Sequence, residues 1–471
     1  MERVLSGLEP KRVFEIFEDI AAIPHGSGNT NAISDYCVKF ARDRGLTVFK
    51  DGLNNVIIKK PASAGYETHE PVVLQGHLDM VCEKDPGVDF DFERDGLRLK
   101  LEGDKLHACG TTLGGDDGVA IAMTLAVIDD ETLPHPPIEA VFTSDEETGM
   151  FGAAGLDVSK LSAKRFISLD HGDSSLFTVG CAGGVRVNID LPVEIAAASD
   201  TAYKVTVSGL KGGHSGEEID KGGLNANKVL AMFLRGLPGN IRISEISGGD
   251  KDNAIPVNSS CVVFADADVK SAAEVFVKEN YCPTDAGLSV SAVPVNCGSA
   301  FTASSTAAAI NLLNELPNGI QAMSGEIEGL VETSLNIGVM RTKENAFCLT
   351  ASVRSSKAAE KAALTKKLKG IADRFGAGFS TCGDYPAWEY KKESPLRDTM
   401  ISVFEKMFGK TPGIKIIHAG LECGLFSGKI KDIDAVSAGP DLFDIHTSRE
   451  SLSVSSLART YKYLCKVLEE L

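Results

Sequence analysis

The chain has 471 residues, a length that suggests two or more domains or one domain carrying a large insertion. Its 65 acidic and 48 basic residues give a formal net charge of −17, which disfavours nucleic acid and anionic membranes as partners. No stretch approaches the roughly 18 apolar residues of a membrane span. The eleven cysteines form no C-x-x-C pair, and acidic residues interrupt the N-terminal segment before a signal-peptide core could form. We therefore expect a cytoplasmic protein with reduced thiols.

The first predicted elements in chain order are two amphipathic helices, one beginning at Pro10 and one over residues 31–44. Beyond them, four short apolar runs predict buried strands at 71–75, 138–143, 165–169 and 434–438. A helix over about 117–128 separates the first two strands, and acids or histidines follow all four. Strands separated by helices predict a largely parallel sheet flanked by helices. Such a sheet binds its ligands at the carboxyl ends of the strands.

The pattern changes between residues 185 and 384. Alternating apolar and polar positions at 185–191 and 203–208 are typical of antiparallel strands. After residue 384, the pattern of buried apolar strands separated by helices returns. We therefore predict one α/β domain made of residues 1–184 and 385–471, interrupted by an inserted α+β domain of residues 185–384.

The acids and histidines that follow the strands form the candidate site: His77, Asp79, Asp116, Glu146, Glu147, Asp170 and His446. Imidazole and carboxylate groups are ligands that zinc and related divalent ions prefer. Five ligands can hold two ions if one carboxylate bridges, and a further carboxylate can shuttle a proton in a hydrolysis. Any single acid could instead cap a helix or lie in a solvated loop. Together they favour a metal site, because carboxylates that converge at one sheet edge repel one another unless a cation lies among them.

These residues lie in motifs that resemble those of a known family. GHLDMV (76–81), GGDDG (114–118) and SDEETGM (144–150) are similar to motifs of the M20 metallopeptidases. LDHGD (169–173) and FDIHTSRE (443–450) resemble the aminoacyl-histidine dipeptidase branch of that family, the peptidase D or Xaa-His dipeptidase group. The resemblance covers essentially the whole chain. It implies a di-zinc aminopeptidase-like catalytic domain and an inserted lid domain through which two chains form a homodimer.

The resemblance also implies a role for each residue of the site. Five residues would be metal ligands: His77 and Asp170 on one ion, Glu147 and His446 on the other, and Asp116 bridging both. Glu146 would be the general base, and Asp79 would orient His77. The peptide bond after Asp116 is expected to be cis.

In the inserted domain, the resemblance implies three substrate-binding residues. His214, in the glycine-rich segment 209–216, would reach the partner subunit's active site and stabilise the developing oxyanion. Asn253 would contact the substrate, and Arg354 would bind its terminal carboxylate through a bidentate guanidinium. Without the resemblance, composition alone would favour a solvated loop for His214, a turn for Asn253 and a solvated strand end for Arg354.

The predicted activity is metal-dependent hydrolysis of unblocked dipeptides, including carnosine-like Xaa-His dipeptides, by a water that two metal ions and Glu146 activate. Zn²⁺ is the expected ion, although Co²⁺ and Mn²⁺ suit the same ligands. An N-acyl amino acid deacylase or a tripeptidase of the same fold would share the metal motifs, since the lid pocket separates these activities. A catalytically silent metal-binding protein is disfavoured because it would need no base such as Glu146. The motifs assign no role to Glu422 or His171, and they do not specify the preferred dipeptide.

Overall fold

The computed structural model describes residues 3–199 and 201–471, and this part of the chain contains eleven α-helices. The helices are α1 (Lys11–Ala21), α2 (Asn31–Arg42), α3 (Gly115–Asp129), α4 (Phe151–Gly155), α5 (Ala226–Gly236), α6 (Val269–Glu279), α7 (Ala303–Glu315), α8 (Ala358–Arg374), α9 (Pro395–Phe408), α10 (Glu422–Lys429) and α11 (Val454–Glu470). Short 3₁₀ turns lie at Val158–Lys160 and Pro283–Asp285. None of the helices in this described part combines the length and the apolar character that crossing a bilayer requires.

The same residues form 25 strands. They are β1 (Thr47–Lys50), β2 (Val56–Lys60), β3 (Val72–His77), β4 (Leu99–Glu102), β5 (Lys105–Ala108), β6 (Ile138–Thr143), β7 (Arg165–Ser168), β8 (Leu176–Cys181), β9 (Gly183–Pro192), β10 (Ile195–Ala197), β11 (Ala202–Ser208), β12 (Gly213–His214), β13 (Ile241–Gly248), β14 (Ala254–Ile255), β15 (Ser259–Ala265), β16 (Ser289–Val295), β17 (Ser299–Phe301), β18 (Gly319–Met323), β19 (Val331–Lys343), β20 (Ala346–Ser355), β21 (Gly378–Tyr385), β22 (Gly413–Ile417), β23 (Asp434–Ser437), β24 (Leu442–Phe443) and β25 (Ser451–Ser453).

The chain divides into two compact units. Unit 1 comprises Met1–Gly180, Tyr390–Ile416 and Leu421–Leu471, and unit 2 comprises Cys181–Glu389 and Ile417–Gly420. The predicted inserted domain, residues 185–384, falls within the long segment of unit 2.

Unit 1 is built on a sheet with strand order β1-β2-β6-β3-β7-β23-β8-β22. The prediction of a largely parallel sheet is confirmed at its centre, where β6, β3, β7 and β23 run parallel. Strands β1, β2 and β8 pair antiparallel with their neighbours. Every residue of β3 and β6 is buried, as expected for parallel strands that are covered on both faces. Helix α3 is also buried from Asp117 to Ile128, because its sequence is almost entirely apolar.

A second, smaller sheet of unit 1 has the order β24-β25-β5-β4, with antiparallel pairing throughout. Strands β24 and β25 form a hairpin, and residues 444–450 are its loop. His446 lies in this loop with φ of +64°, in the left-handed region that non-glycine residues rarely occupy. The hairpin therefore carries one predicted metal ligand on a sharply turned backbone.

Unit 2 contains a nine-stranded sheet with order β16-β11-β15-β13-β19-β20-β9-β21, and β18 pairs with β19. All strand pairs of this sheet for which the register is described are antiparallel. Alternate side chains of its strands point to a core that also contains the apolar faces of α5, α7 and α8. This arrangement of antiparallel strands and helices agrees with the predicted α+β class.

Candidate metal centre

The parallel strands of unit 1 deliver the predicted ligands to one place. Strand β3 ends at His77, and Asp170 lies two residues beyond the end of β7. The ligand atoms of His77, Asp116 and Asp170 all lie within 4.8 Å of one another. The same holds for Asp116, Glu147 and His446. The five predicted ligands therefore form two groups that share one carboxylate, Asp116.

Asp116 lies between the two histidines. Its Oδ1 is 3.0 Å from His77 Nε2, and its Oδ2 is 3.3 Å from His446 Nε2. His446 Nε2 also lies 2.8 Å from Glu147 Oε1. Each group thus offers one imidazole nitrogen and two carboxylates, a donor set that suits zinc, manganese or cobalt. The residues therefore fit divalent metal binding, and Asp116 is common to the two groups.

The charges of this cluster strongly perturb its titration. Burial, together with the nearby charge of Asp116, raises the pKa of Asp170 to about 7. Burial also raises the pKa of Glu146 well above its usual range, and the charges of Asp170 and Glu147 add to that effect. Hydrogen bonds to Asp116 and Glu147 also raise the pKa of the His446 imidazole, to about 10. For a histidine, a raised pKa favours the charged form, whereas for Asp170 and Glu146 it favours the neutral form. Carboxylates this close to one another keep their negative charges only with positive charge among them; otherwise they take up protons.

Asp79 contacts both His77 and the loop that follows β6. Its backbone carbonyl lies 2.9 Å from His77 Nδ1, whereas its carboxylate Oδ1 is 3.6 Å away. Because a carbonyl can only accept a hydrogen bond, His77 Nδ1 carries the proton and Nε2 is left free to bind a metal. The carboxylate itself accepts the backbone N–H groups of Glu146 (3.0 Å) and Glu147 (3.3 Å) and the Ser27 hydroxyl (2.8 Å). The main chain of Asp79 thus orients His77, and its side chain holds the two glutamates.

The sequence did not mark the roles of Ser27 and Asp117. Asp117 is buried, and its Oδ2 accepts the backbone N–H of His77 at 3.1 Å. Gly76 makes room for this contact, since a Cβ there would lie 2.6 Å from Asp117 Oδ2. The motif GGDDG contained Asp117 but gave no indication of its partner. The Asp116–Asp117 peptide is cis, which confirms the expectation from the resemblance.

Glu422 and His171 also lie in unit 1, where Glu422 is buried and His171 is half-buried. Glu422 Oε2 accepts hydrogen bonds from Gln75 Nε2 (2.7 Å) and Thr143 Oγ1 (2.5 Å), which lie on β3 and β6. Burial raises the pKa of Glu422 to about 8. The His171 ring accepts the backbone N–H of Asp173 at Nδ1 (3.1 Å) and lies 3.1 Å from the Thr178 hydroxyl at Nε2. His171 therefore shapes the turn after β7.

Unit 2 brings the predicted substrate-binding residues together. His214 is in β12, which pairs with β14, and the backbone carbonyl of Asn253 accepts the N–H of Ser215 at 2.8 Å. Arg354 is buried and donates to the Tyr385 hydroxyl at 3.0 Å, and no acidic side chain in the described part of the chain pairs with it. Burial lowers the pKa of His214, and the nearby guanidinium of Arg354 contributes. The positive charge of Arg354 is therefore close enough to act on the His214 imidazole of the same chain.

The sequence and the fold of the chain are similar to those of known proteins. A family model described as peptidase family M20/M25/M40 matches residues 73–470. The cytosol non-specific dipeptidase of Escherichia coli (strain K12) is 36% identical over 479 residues, which span 99% of this chain and 99% of that protein. The crystal structure of aminoacylhistidine dipeptidase from Vibrio alginolyticus has a TM-score of 0.92 and 34% identity, covering 100% of this chain and 98% of that one.

A more distant structure, aminopeptidase PepT from Bacillus cereus, shares the fold with a TM-score of 0.59 and 18% identity, covering 98% of this chain and 99% of that one. The family match spans most of the chain, and the relatives match it nearly end to end. Membership of this family implies the use of a divalent metal ion, which the clustered histidines and carboxylates fit. The chain belongs to peptidase family M20/M25/M40 and is a peptide-bond hydrolase.

Proposed function

We propose that the protein hydrolyses unblocked dipeptides, Xaa-His dipeptides among them, with two divalent metal ions, most suitably Zn²⁺. The observation that carries this proposal is the position of Asp116, which belongs to both groups of ligand atoms. The names of two relatives support the substrate class: one is a non-specific dipeptidase and the other an aminoacylhistidine dipeptidase. The first is named as a cytosol enzyme, which supports a cytoplasmic location for this chain.

In this proposal, His77 and Asp170 bind one ion, Glu147 and His446 bind the other, and Asp116 bridges them. When bound, two such ions polarise the peptide carbonyl and lower the pKa of water towards about 7. Glu147 is the better ligand of the two adjacent glutamates, because it contacts His446 and shares a group with Asp116. A third group of ligand atoms, those of His77, Glu146 and Glu147, does not contain Asp116. Glu146 is therefore proposed to take a proton from water and return it to the leaving amine.

Arg354 is proposed to bind the terminal carboxylate of the dipeptide. A buried guanidinium without an acidic partner is costly unless an anion completes its hydrogen bonds, and its Nε has no hydrogen-bond partner in the described part of the chain. A substrate carboxylate would supply that anion through a bidentate contact. Asn253 and His214 are proposed to contact the same substrate. Their positions support this, since His214 is in β12 and Asn253 directly precedes β14, the strand that pairs with β12.

Two arrangements of His214 differ in which chain it serves. The resemblance implies a homodimer in which His214 reaches the partner subunit's active site, and that assembly stays a prediction. In the alternative, His214 serves the metal centre of its own chain; both arrangements keep it in the same unit as Arg354. A deacylase or a tripeptidase would use the same metal ligands, so substrate panels separate these activities.

Asp116→Ala should lose both metal ions, because it removes the ligand that the two groups share. Metal content per purified chain, measured by mass spectrometry, should fall from about two towards zero. Asp157→Ala is the matched control, since Asp157 is an exposed carboxylate of the same unit that caps a 3₁₀ turn. Two metals per chain in the Asp116 variant would place the bridge elsewhere.

Glu146→Gln should keep both metals and lower kcat by about 10²–10⁴, the usual cost of removing a general base. Glu147→Gln should instead lose metal, because it removes a ligand. The two variants change adjacent residues in the same way. Metal content and kcat measured for both therefore separate the role of general base from that of metal ligand. Near-normal turnover of Glu146→Gln with full metal content would contradict the assignment.

Arg354→Lys should impair hydrolysis of dipeptides with a free carboxylate far more than hydrolysis of the same dipeptides amidated at the C-terminus. The substitution keeps the positive charge but removes the planar fork that binds a carboxylate. The measurement is kcat/KM for each matched substrate pair. Arg242→Lys is the control, because that guanidinium binds backbone carbonyls of unit 2. Equal losses on free and amidated dipeptides would give Arg354 a structural role.

His214→Ala should lower kcat by about 10²–10³ if its imidazole stabilises the oxyanion. Co-expression of differently tagged His214→Ala and Glu146→Gln chains tests whether His214 acts in the active site of its own chain or of the partner chain. If His214 acts within its own chain, the purified mixed assembly should stay as inactive as its parents. Recovery of activity in a mixed dimer would show that His214 acts across the subunit interface.

A further inference from the structure

The carboxylate of Glu450 is buried against the loop that leads to Asp116. Its Oε2 accepts the backbone N–H groups of Leu113 (2.7 Å) and Gly114 (3.1 Å). Its Oε1 accepts those of Gly115 (2.8 Å) and Asp116 (3.2 Å). One side chain therefore binds four consecutive N–H groups, and the last belongs to the shared ligand. We infer that Glu450 is a positioning residue that fixes Asp116 between the two metal ions, an inference that rests on the proposed function.

The loop is shaped to receive this carboxylate. Gly114 has φ of +66°, a left-handed conformation that turns its N–H towards Glu450 together with its neighbours. At Gly115, a Cβ would lie 3.1 Å from Glu450 Oε1 and 2.9 Å from Leu442 Cδ2. A side chain at Gly115 would thus compete for the space in which the carboxylate lies. The first two glycines of the GGDDG motif thus have separate reasons: Gly114 has a left-handed backbone, and Gly115 lies close to Leu442 and Glu450.

The four N–H groups lie in the segment that leads into the regular part of α3, since Asp116 and Asp117 have non-helical backbone angles. This backbone continues no helical ladder, so its donors need other partners. Glu450 supplies the acceptors while being only 3% exposed. Without it, four donors would be left facing a buried space, and the loop would be free to find other partners.

Glu450 also ties the two ligand groups together. It lies in the hairpin loop 444–450, four residues after His446, and its own N–H donates to the Thr447 carbonyl at 3.0 Å. The same short segment therefore carries one metal ligand and holds the backbone of another. Movement of Asp116 relative to His446 would have to break these hydrogen bonds.

The test uses Glu450→Gln, which keeps the shape of the side chain but turns its NH₂ group towards two backbone donors. Zinc affinity, measured by chelator competition, should fall about 10- to 100-fold, the usual cost of losing a residue that orients a ligand. Hydrogen exchange of the amides of residues 113–116 should become faster in the metal-free variant than in the metal-free parent protein. Glu450→Asp keeps the charge but cannot reach all four donors, so it should show the same two changes.

Glu139→Gln is the matched control. Glu139 is also 3% exposed and accepts the N–H groups of Ser162 (2.9 Å) and Ala163 (3.1 Å), but it lies near the start of β6, away from the metal ligands. This variant should lower the Tm and leave zinc affinity and exchange at 113–116 unchanged. A control that loses zinc affinity as strongly as the Glu450 variants would overturn the inference, because the loss would then follow from instability alone.

The inference would also be overturned if Glu450→Gln folds and has the same zinc affinity and the same amide hydrogen exchange at residues 113–116 as the parent protein. If that variant does not fold, Glu450→Asp decides by the same two measurements. The parent protein distinguishes the inference from the proposed function. A parent that binds no zinc would contradict the proposed function, whereas unchanged exchange in the Glu450 variants would contradict the role of Glu450.

Discussion

Carboxylates that crowd around one point keep their negative charges only when positive charge lies among them. In this protein the point is Asp116, whose two oxygens face the imidazoles of His77 and His446 at 3.0 and 3.3 Å. The pKa values follow from this crowding: that of Asp170 is raised by burial and by Asp116, and that of His446 is raised by hydrogen bonds to its carboxylate neighbours. Two divalent ions would supply the charge that the arrangement requires.

The residues around the proposed ligands fix the backbone segments that carry those ligands. Three acids that are not proposed ligands accept backbone N–H groups from segments that carry ligands. The Asp79 carboxylate accepts the N–H groups of residues 146 and 147, and the Asp117 carboxylate accepts that of His77. The Glu450 carboxylate accepts the N–H groups of residues 113–116. A carboxylate suits this task because it accepts several donors at once, and charged acceptors form stronger hydrogen bonds. Acidic residues thus serve both as ligands and as the supports that position them.

Apolar runs predicted the central strands and the fold class because parallel strands buried on both faces leave an unambiguous pattern. The long strand β19 was not predicted, since Ser334 and Asn336 are buried polar residues that interrupt its apolar pattern. Their partners lie far along the chain, at His418 for Ser334 and at the Asp252 carbonyl for Asn336. The candidate ligands were found because each follows a strand or lies in a motif. The contacts of Glu450 were not, because they join residues more than 330 positions apart.

Anomalous scattering from crystals grown with zinc would test whether two metal ions share Asp116. Data collected on both sides of the zinc absorption edge locate the ions without assuming their ligands. We expect two peaks about 3.5–4 Å apart, one beside His77 and one beside His446, with the Asp116 carboxylate between them. A single peak, or two peaks of which only one contacts Asp116, would contradict this expectation.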